Sequence, residues 1–184
     1  MHLLLKKVKV LCSDSKYHLK KKDIYIKNGI IEKIGDQIQV KGAITIEQKE
    51  LYVSAGWVEL FSDFCDPGAE QKEDLQSGSE AAAAGGYTDV CLVPSNHPPT
   101  TNKASVDYLK SKSELVQLHP IGAVSKQLEG KDLAEMYDMK AAGAIAFSDG
   151  VYPIQSAGLM AKALQYIKSF HGVILQIPDD KSIS

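Results

Sequence analysis

The sequence predicts an α/β chain in which a small antiparallel β domain precedes a run of βα units. Before about Ser54, apolar residues recur at every second position in short stretches such as LLLKKVKVL and DIYIKNGIIEKIG. That alternation is the pattern of a half-buried strand. An Asn28-Gly29 pair lies between two of these stretches, a strong signal for a two-residue hairpin. Beyond Ser54 the pattern changes: apolar strands alternate with helical stretches, as in βαβ units with a parallel sheet.

The elements follow in order. Residues 1–54 read as a small β-sandwich-like module, with Lys20, Lys21 and Lys22 as a solvated charge run at a strand start or turn. In residues 55–184 strands are expected at 57–64, 87–94, 118–124, 144–149 and 173–177. Helices are expected near Gln71–Ala84, Lys103–Ser113, Lys131–Ala142 and Ser156–Phe170. Gly78, Ala81, Ala82 and Gly85 let the first helix approach the sheet closely, and Gly85-Gly86 ends it. In the last helix Leu159, Ala163, Ile167 and Phe170 share one face at spacings of three and four. Five strands and four helices make the first part of a (β/α)8, TIM-like barrel. Five strands do not close such a barrel, so a longer chain or a completing partner is expected.

Composition narrows the function classes. With 184 residues, 44% hydrophobic and 24% charged, the chain has an ordinary globular make-up. A net charge of -2 leaves no basic stripe for nucleic acid or an anionic membrane. Charges follow the first apolar residues of MHLLLKKVKVLC at once, which argues against a signal peptide. No stretch reaches the roughly 20 apolar residues of a membrane span. Cys12, Cys65 and Cys91 are odd in number and far apart, and read as reduced thiols of a cytoplasmic protein.

Residues 53–99 carry a longer signal. They contain Gly56, Val58, Asp66-Pro67-Gly68, Lys72-Glu73-Asp74, Ser77-Gly78-Ser79, Ala81-Ala82, Gly85-Gly86, Tyr87-Thr88, Pro94 and Pro98 in order. This run resembles the dihydroorotase version of the amidohydrolase motif. GAIAFSDG (143–150) resembles the family's Ala-Phe-Ser-Asp-Asp-Gly element, and VILQIPDD (173–180) its Val-x-x-His-x-Glu-Asp element. Residues 1–54 are similar to the N-terminal half of the family's small β domain. The similarity covers nearly the whole chain, but only the first half of a typical member.

The resemblance implies a zinc-dependent cyclic amidohydrolase that interconverts carbamoyl aspartate and dihydroorotate, and it also shows which residues are replaced. The His-x-His pair, two ligands on one strand face, is matched by Phe61 and Asp63. The substrate-binding Arg is matched by Cys65, and the Asn of Met-Pro-Asn by Ser95, with Asn96 beside it. The third His is matched by Gln176, and the bridging carboxylate by Gly150 or Asp149, since one residue is missing nearby. Zinc is therefore implied by the family, but no metal is expected here.

Asp63, Asp66, Asp149 and Asp179 suit an oxygen-only site for a hard cation, with Asp63 and Asp149 the candidate ligands and Asp149 the candidate catalytic group. The expected alternative is that Asp66 turns the loop before Pro67 while Asp63 and Asp149 line a watered cavity. His97 and His119 are the histidines nearest strand ends and read as surface or loop residues. Cys65 as a nucleophile lacks a matching His.

The expected function is a dihydroorotase-like scaffold or regulator of pyrimidine biosynthesis without catalytic activity. Aspartate transcarbamoylase or self-association supplies its partner. The alternatives are an active cyclic-amide hydrolase with an atypical metal site, or a ligand-binding module that uses the emptied barrel mouth.

Overall fold

A computed structural model describes residues 1–111 and 115–183, and the chain divides into two compact units, Met1–Ala55 and Gly56–Ser184. The first holds β1 (His2–Leu11), β2 (Lys21–Lys27), β3 (Ile30–Gly35), β4 (Ile44–Glu47) and β5 (Tyr52–Ser54). Asn28 and Gly29 both take positive φ, 49° and 80°, as a tight hairpin between β2 and β3 requires. These strands form one five-stranded sheet in the order β3-β2-β1-β4, with β5 also on β1.

Direction departs from the purely antiparallel expectation: β4 and β5 both run parallel to β1. Alternation reports which face of a strand is buried and says nothing about its direction. The chain leaves β3 on one side of the sheet and returns beside β1 on the other, so β4 starts from the same end as β1. Leu4, Val8, Val10, Ile24 and Ile38 are buried in this unit. A register shift between Leu5 and Val8 bulges β1 at Lys6 and Lys7. Asp23 meets the bulge with its side chain, accepting from Lys6 Nζ at 2.6 Å and from the Lys7 and Ile38 N–H groups at 2.9 Å each.

The second unit alternates β6 (Trp57–Ser62), α1 (Leu75–Ala84), β7 (Tyr87–Leu92), α2 (Lys103–Lys110), β8 (Gln117–Gly122), a 3-10 turn (Lys126–Leu128), α3 (Met136–Ala142), β9 (Ala146–Phe147) and α4 (Ala157–Lys168). The four strands form a parallel half-barrel sheet in sequence order. The expected fifth strand, 173–177, is reduced to one bridge, Phe147 to Ile174. Leu175 N–H donates to Phe147 O and Phe147 N–H to Val173 O, both at 2.8 Å. With β9 only two residues long, there is no further ladder for 173–177 to join.

Caps place the helix starts. Asp74 accepts from the Gln76 and Ser77 N–H groups while Ser77 Oγ accepts from Asp74 N–H, so α1 starts at Leu75 and not at Gln71. α3 starts at Met136 rather than Lys131, because Lys126 N–H to Asp132 O and a Ser125–Leu133 bridge hold the preceding residues in a loop. Ser156 caps α4 through Leu159 N–H. Lys112 and Ser113, the expected end of the second helix, lie outside the described residues. Among the described residues no helix is long and apolar enough to cross a membrane.

Successive residues of β7 and β8 go to opposite faces. Val90, Leu92 and Leu118 pack with Phe64, Leu75, Leu109 and Val116, whereas Cys91, Ile121 and Ala146 cluster separately. A larger core joins Val106, Val124, Met136, Met139, Phe147, Leu159, Ala163 and Ile167. Leu159, Ala163 and Ile167 thus bury the face of α4 read from its spacing, with Phe170 packed partly buried at its end. On α1 the close approach is made at Gly78, with Ala82 partly buried, while Ala81 and Gly85 face solvent. At the outer margin of the sheet, Trp57, Val58, Leu60 and Phe61 of β6 are exposed.

A Cβ at Gly78 would stand 2.6 Å from the Phe64 ring. Gly78→Val is therefore expected to cost about 1–3 kcal/mol through overpacking. The exposed neighbour Ala81→Val should stay within about 1 kcal/mol. Urea unfolding midpoints of the two variants check the contrast.

Candidate functional site

In a parallel sheet of βα units the loops after the strands gather at one end, where such folds place their chemistry. Here that mouth is built from the segments following β6, β7, β8 and β9. Val93 N–H donates to Ser62 O, Ala123 N–H to Thr100 O and Ser148 N–H to Gly122 O, so the strand ends are fastened to their neighbours.

Two metal-ligand positions of the family pattern fall at the end of β6 and just beyond it, next to an irregularity in the strand. Glu59 pairs with Val90 and Ser62 with Leu92, three steps against two, which puts a bulge at Leu60 and Phe61. Phe61 is exposed, and Asp63 lies beyond the strand end, exposed, with Oδ1 accepting from Cys65 N–H at 2.8 Å. Cys65 is half-buried at φ 59°.

Asp66 is buried and does more than turn the loop. One carboxylate oxygen accepts from Tyr108 OH at 2.7 Å and the other from Leu75 N–H at 3.3 Å, which ties α1 and α2 to the loop after β6. The hydrogen bond to Asp66, reinforced by burial and the negative charge, pushes the Tyr108 phenol up to about 12. Asn96 is buried too: Nδ2 donates to Asp66 O at 2.7 Å and Oδ1 accepts from Thr100 OH at 3.2 Å. Its amide thus joins the loops after β6 and β7. Ser95 is half-buried, and its Oγ stands 2.5 Å from where a Cβ on Gly150 would lie. Gly150 has φ 63° and donates its N–H to Ser148 Oγ at 3.0 Å.

Asp149, expected beside water in a polar cavity, is instead 2% exposed and satisfied by protein donors. Oδ1 accepts from the Val124 and Ser125 N–H groups at 2.9 Å each, and Oδ2 accepts from Ser125 OH. Burial pushes its carboxyl above the ordinary range, against the pull of those hydrogen bonds. Gln176 is exposed; Asp179 is half-buried, with its main-chain oxygen accepting from Gln155 Nε2 at 3.0 Å.

The two histidines singled out are not brought together: His97 lies in the loop after β7, His119 within β8. His97 is exposed and donates its N–H to Pro67 O at 3.0 Å. His119 lies within β8 and its ring contacts Asp89 at 2.7 Å. That contact and a hydrogen bond from Thr88 hold the Asp89 carboxyl below the ordinary range. His119 also borders a cavity of about 660 Å³ whose lining includes Thr88, Lys110, Gln117 and Gly143 and none of the mouth residues.

Zinc, implied by the family pattern, is not matched by this donor set. A phenyl ring has no ligating atom, an amide oxygen is a poor match for Zn²⁺, and the buried Asp149 carboxylate is engaged by protein donors. Among the described residues no group of three or more His, Cys, Asp or Glu is placed to hold a metal ion. Sequence reasoning missed Ser125, Tyr108 and Thr100. Ser125 and Tyr108 meet their partners across 24 and 42 residues of chain, so no local pattern announces them.

Comparison with known proteins bears on the same region. A family model described as dihydro-orotase-like matches residues 51–184. The dihydroorotase of Thermoanaerobacter sp. (strain X514) is 40% identical over 165 residues, covering 88% of this chain and 38% of that protein. That of Aquifex aeolicus (strain VF5) is 35% identical over 165 residues, covering 88% and 39%. The chain thus spans 38–39% of the length of these relatives. Among solved structures, the L-hydantoinase (dihydropyrimidinase) of Arthrobacter aurescens superposes with a TM-score of 0.71 at 23% identity, covering 94% of this chain and 39% of that one. A dihydroorotase structure superposes with a TM-score of 0.67 at 12% identity, covering 94% and 50%. At such identities these two establish the fold alone. Because the family model matches the whole of the second unit, and the Thermoanaerobacter dihydroorotase is 40% identical over 88% of the chain, the chain belongs to the dihydroorotase-like family.

Proposed function

We propose that this chain serves pyrimidine biosynthesis in the cytoplasm as a dihydroorotase-like scaffold or regulator without turnover of its own. The observation that carries the reading is the mouth itself: Phe61, Asp63 and Gln176 stand where the family pattern has histidines, and the buried carboxylate Asp149 is hydrogen-bonded to Val124 and Ser125 through both oxygens. Opening or closing a cyclic amide in this family draws on a metal-polarised water, which is the chemistry zinc supplies when bound. In this chain the mouth residues hold loops instead. Asp66 fixes α1 and α2, and Asn96 couples the loops after β6 and β7. Such a braced surface suits contact with another protein, and the family resemblance makes aspartate transcarbamoylase the first partner to try, with self-association the second.

The test is a dihydroorotase assay on the intact protein, run in both directions with zinc supplied, beside metal analysis of the same sample. No turnover above background and substoichiometric zinc are expected. Stoichiometric zinc with turnover that Asp63→Ala abolishes would overturn the proposal in favour of a cyclic-amide hydrolase with an atypical metal site.

A further inference from the structure

We infer that Asp149 is a clamp between the ends of β8 and β9, holding in place by hydrogen bonds the loop that leads from β8 to α3, and that it is not available as a metal ligand. The inference rests on the reading that the mouth works without metal, and it assigns Asp149, more deeply buried there than Asp66, a definite task. Oδ1 takes two main-chain donors, Val124 N–H and Ser125 N–H, at 2.9 Å each. Oδ2 takes the hydroxyl of Ser125, a residue with no solvent exposure. The same hydroxyl oxygen accepts Gly130 N–H at 2.8 Å, so the carboxylate reaches through Ser125 to the far side of the 3-10 turn. That turn needs holding, because Gln127 and Leu128 both sit at positive φ, 54° and 59°, a region in which side chains are strained. Three donors, all supplied by residues 124 and 125, occupy both carboxylate oxygens in a site that is 2% exposed. An ion on Oδ1 would have to displace both main-chain donors and leave buried N–H groups unpaired.

The test combines hydrogen–deuterium exchange of residues 124–133 with melting temperature, both with and without zinc chloride, on wild type, Asp149→Asn and Ser125→Ala. Asparagine keeps the shape but offers one accepting oxygen in place of two. Exchange across 124–130 is expected to rise about tenfold or more in Asp149→Asn and by a smaller factor in Ser125→Ala, with or without zinc. Zinc should leave the wild-type melting temperature unchanged. If Asp149→Asn does not fold, Ser125→Ala carries the measurement, since it removes one donor and keeps the Oδ1 pair. Zinc that raises the wild-type melting temperature but not that of the variants, or variants whose exchange matches wild type, would overturn the clamp. Turnover in the dihydroorotase assay would instead strike the scaffold reading and leave the exchange result standing.

Discussion

Phe147→Ala is expected to lower the stability of the second unit by about 3–5 kcal/mol, a large part of what a typical domain possesses. Phe147 has no solvent exposure and lies at the centre of the larger core, with Val124, Met139, Ala163 and Ile167 in the same cluster. Its ring meets Phe170 edge to face with centroids 5.9 Å apart. Its main chain also holds the segment 173–177, through bonds with Val173 and Leu175. Truncation leaves a cavity where β9 is too short for neighbouring pairs to compensate. Urea unfolding followed by circular dichroism measures the loss, and Phe147→Leu should recover more than half of it. A cost below about 1 kcal/mol would mean that the core around β9 is not packed as described.

The first unit should be as sensitive to Asp23→Ala, at about 3–5 kcal/mol. Asp23 and Lys6 form an ion pair at 2.6 Å with side-chain exposures of 5% and 19%, so removing the acid leaves a largely buried ammonium without its counter-charge, held only to Ile38 O, and takes the acceptor from two main-chain N–H groups. Burial by itself would raise the Asp23 carboxyl, but Lys6 and the N–H groups of Lys7 and Ile38 outweigh it and hold the group below the ordinary range. The sign follows by linkage. A carboxylate whose folded pKa is depressed stabilises the fold above its unfolded pKa, and that contribution disappears as pH falls through the folded value. Wild type should therefore lose stability on acidification below about pH 4. Asp23→Ala should be weaker at neutral pH and show a shallower loss there. Exchange of the β1 and β2 amides across an acid series measures both.

The order of elements was legible because it rests on local signals: alternation before Ser54, apolar strands and helical stretches after it, and the Asn28-Gly29 turn. Strand direction was not, since β4 and β5 owe their parallel pairing to where the chain crosses the sheet. Helix starts shifted where a side chain intervened, as Asp74 does at α1. Small residues on α1 could be counted, but which of them press on the sheet depends on Phe64 meeting Gly78. At the mouth, the replaced positions Phe61, Cys65 and Gln176 could be read from the motif. The tasks of Asp66, Asn96 and Asp149 could not, because Tyr108, Thr100 and Ser125 reach them only after folding. The bulge at Leu60 and Phe61 was equally hidden, since the β6–β7 register is set by contacts and not by the spacing of motif residues.

Trp57 is the single tryptophan of the chain, and it is 64% exposed on β6, the outermost strand of its sheet. The molecule therefore carries its own fluorescent reporter at that margin. In the free chain its indole is expected to emit at long wavelength, as from water, and to be quenched readily by iodide. Any polypeptide laid along β6 would shift the emission to the blue and shield it from the quencher, so assembly at this margin can be titrated without a label.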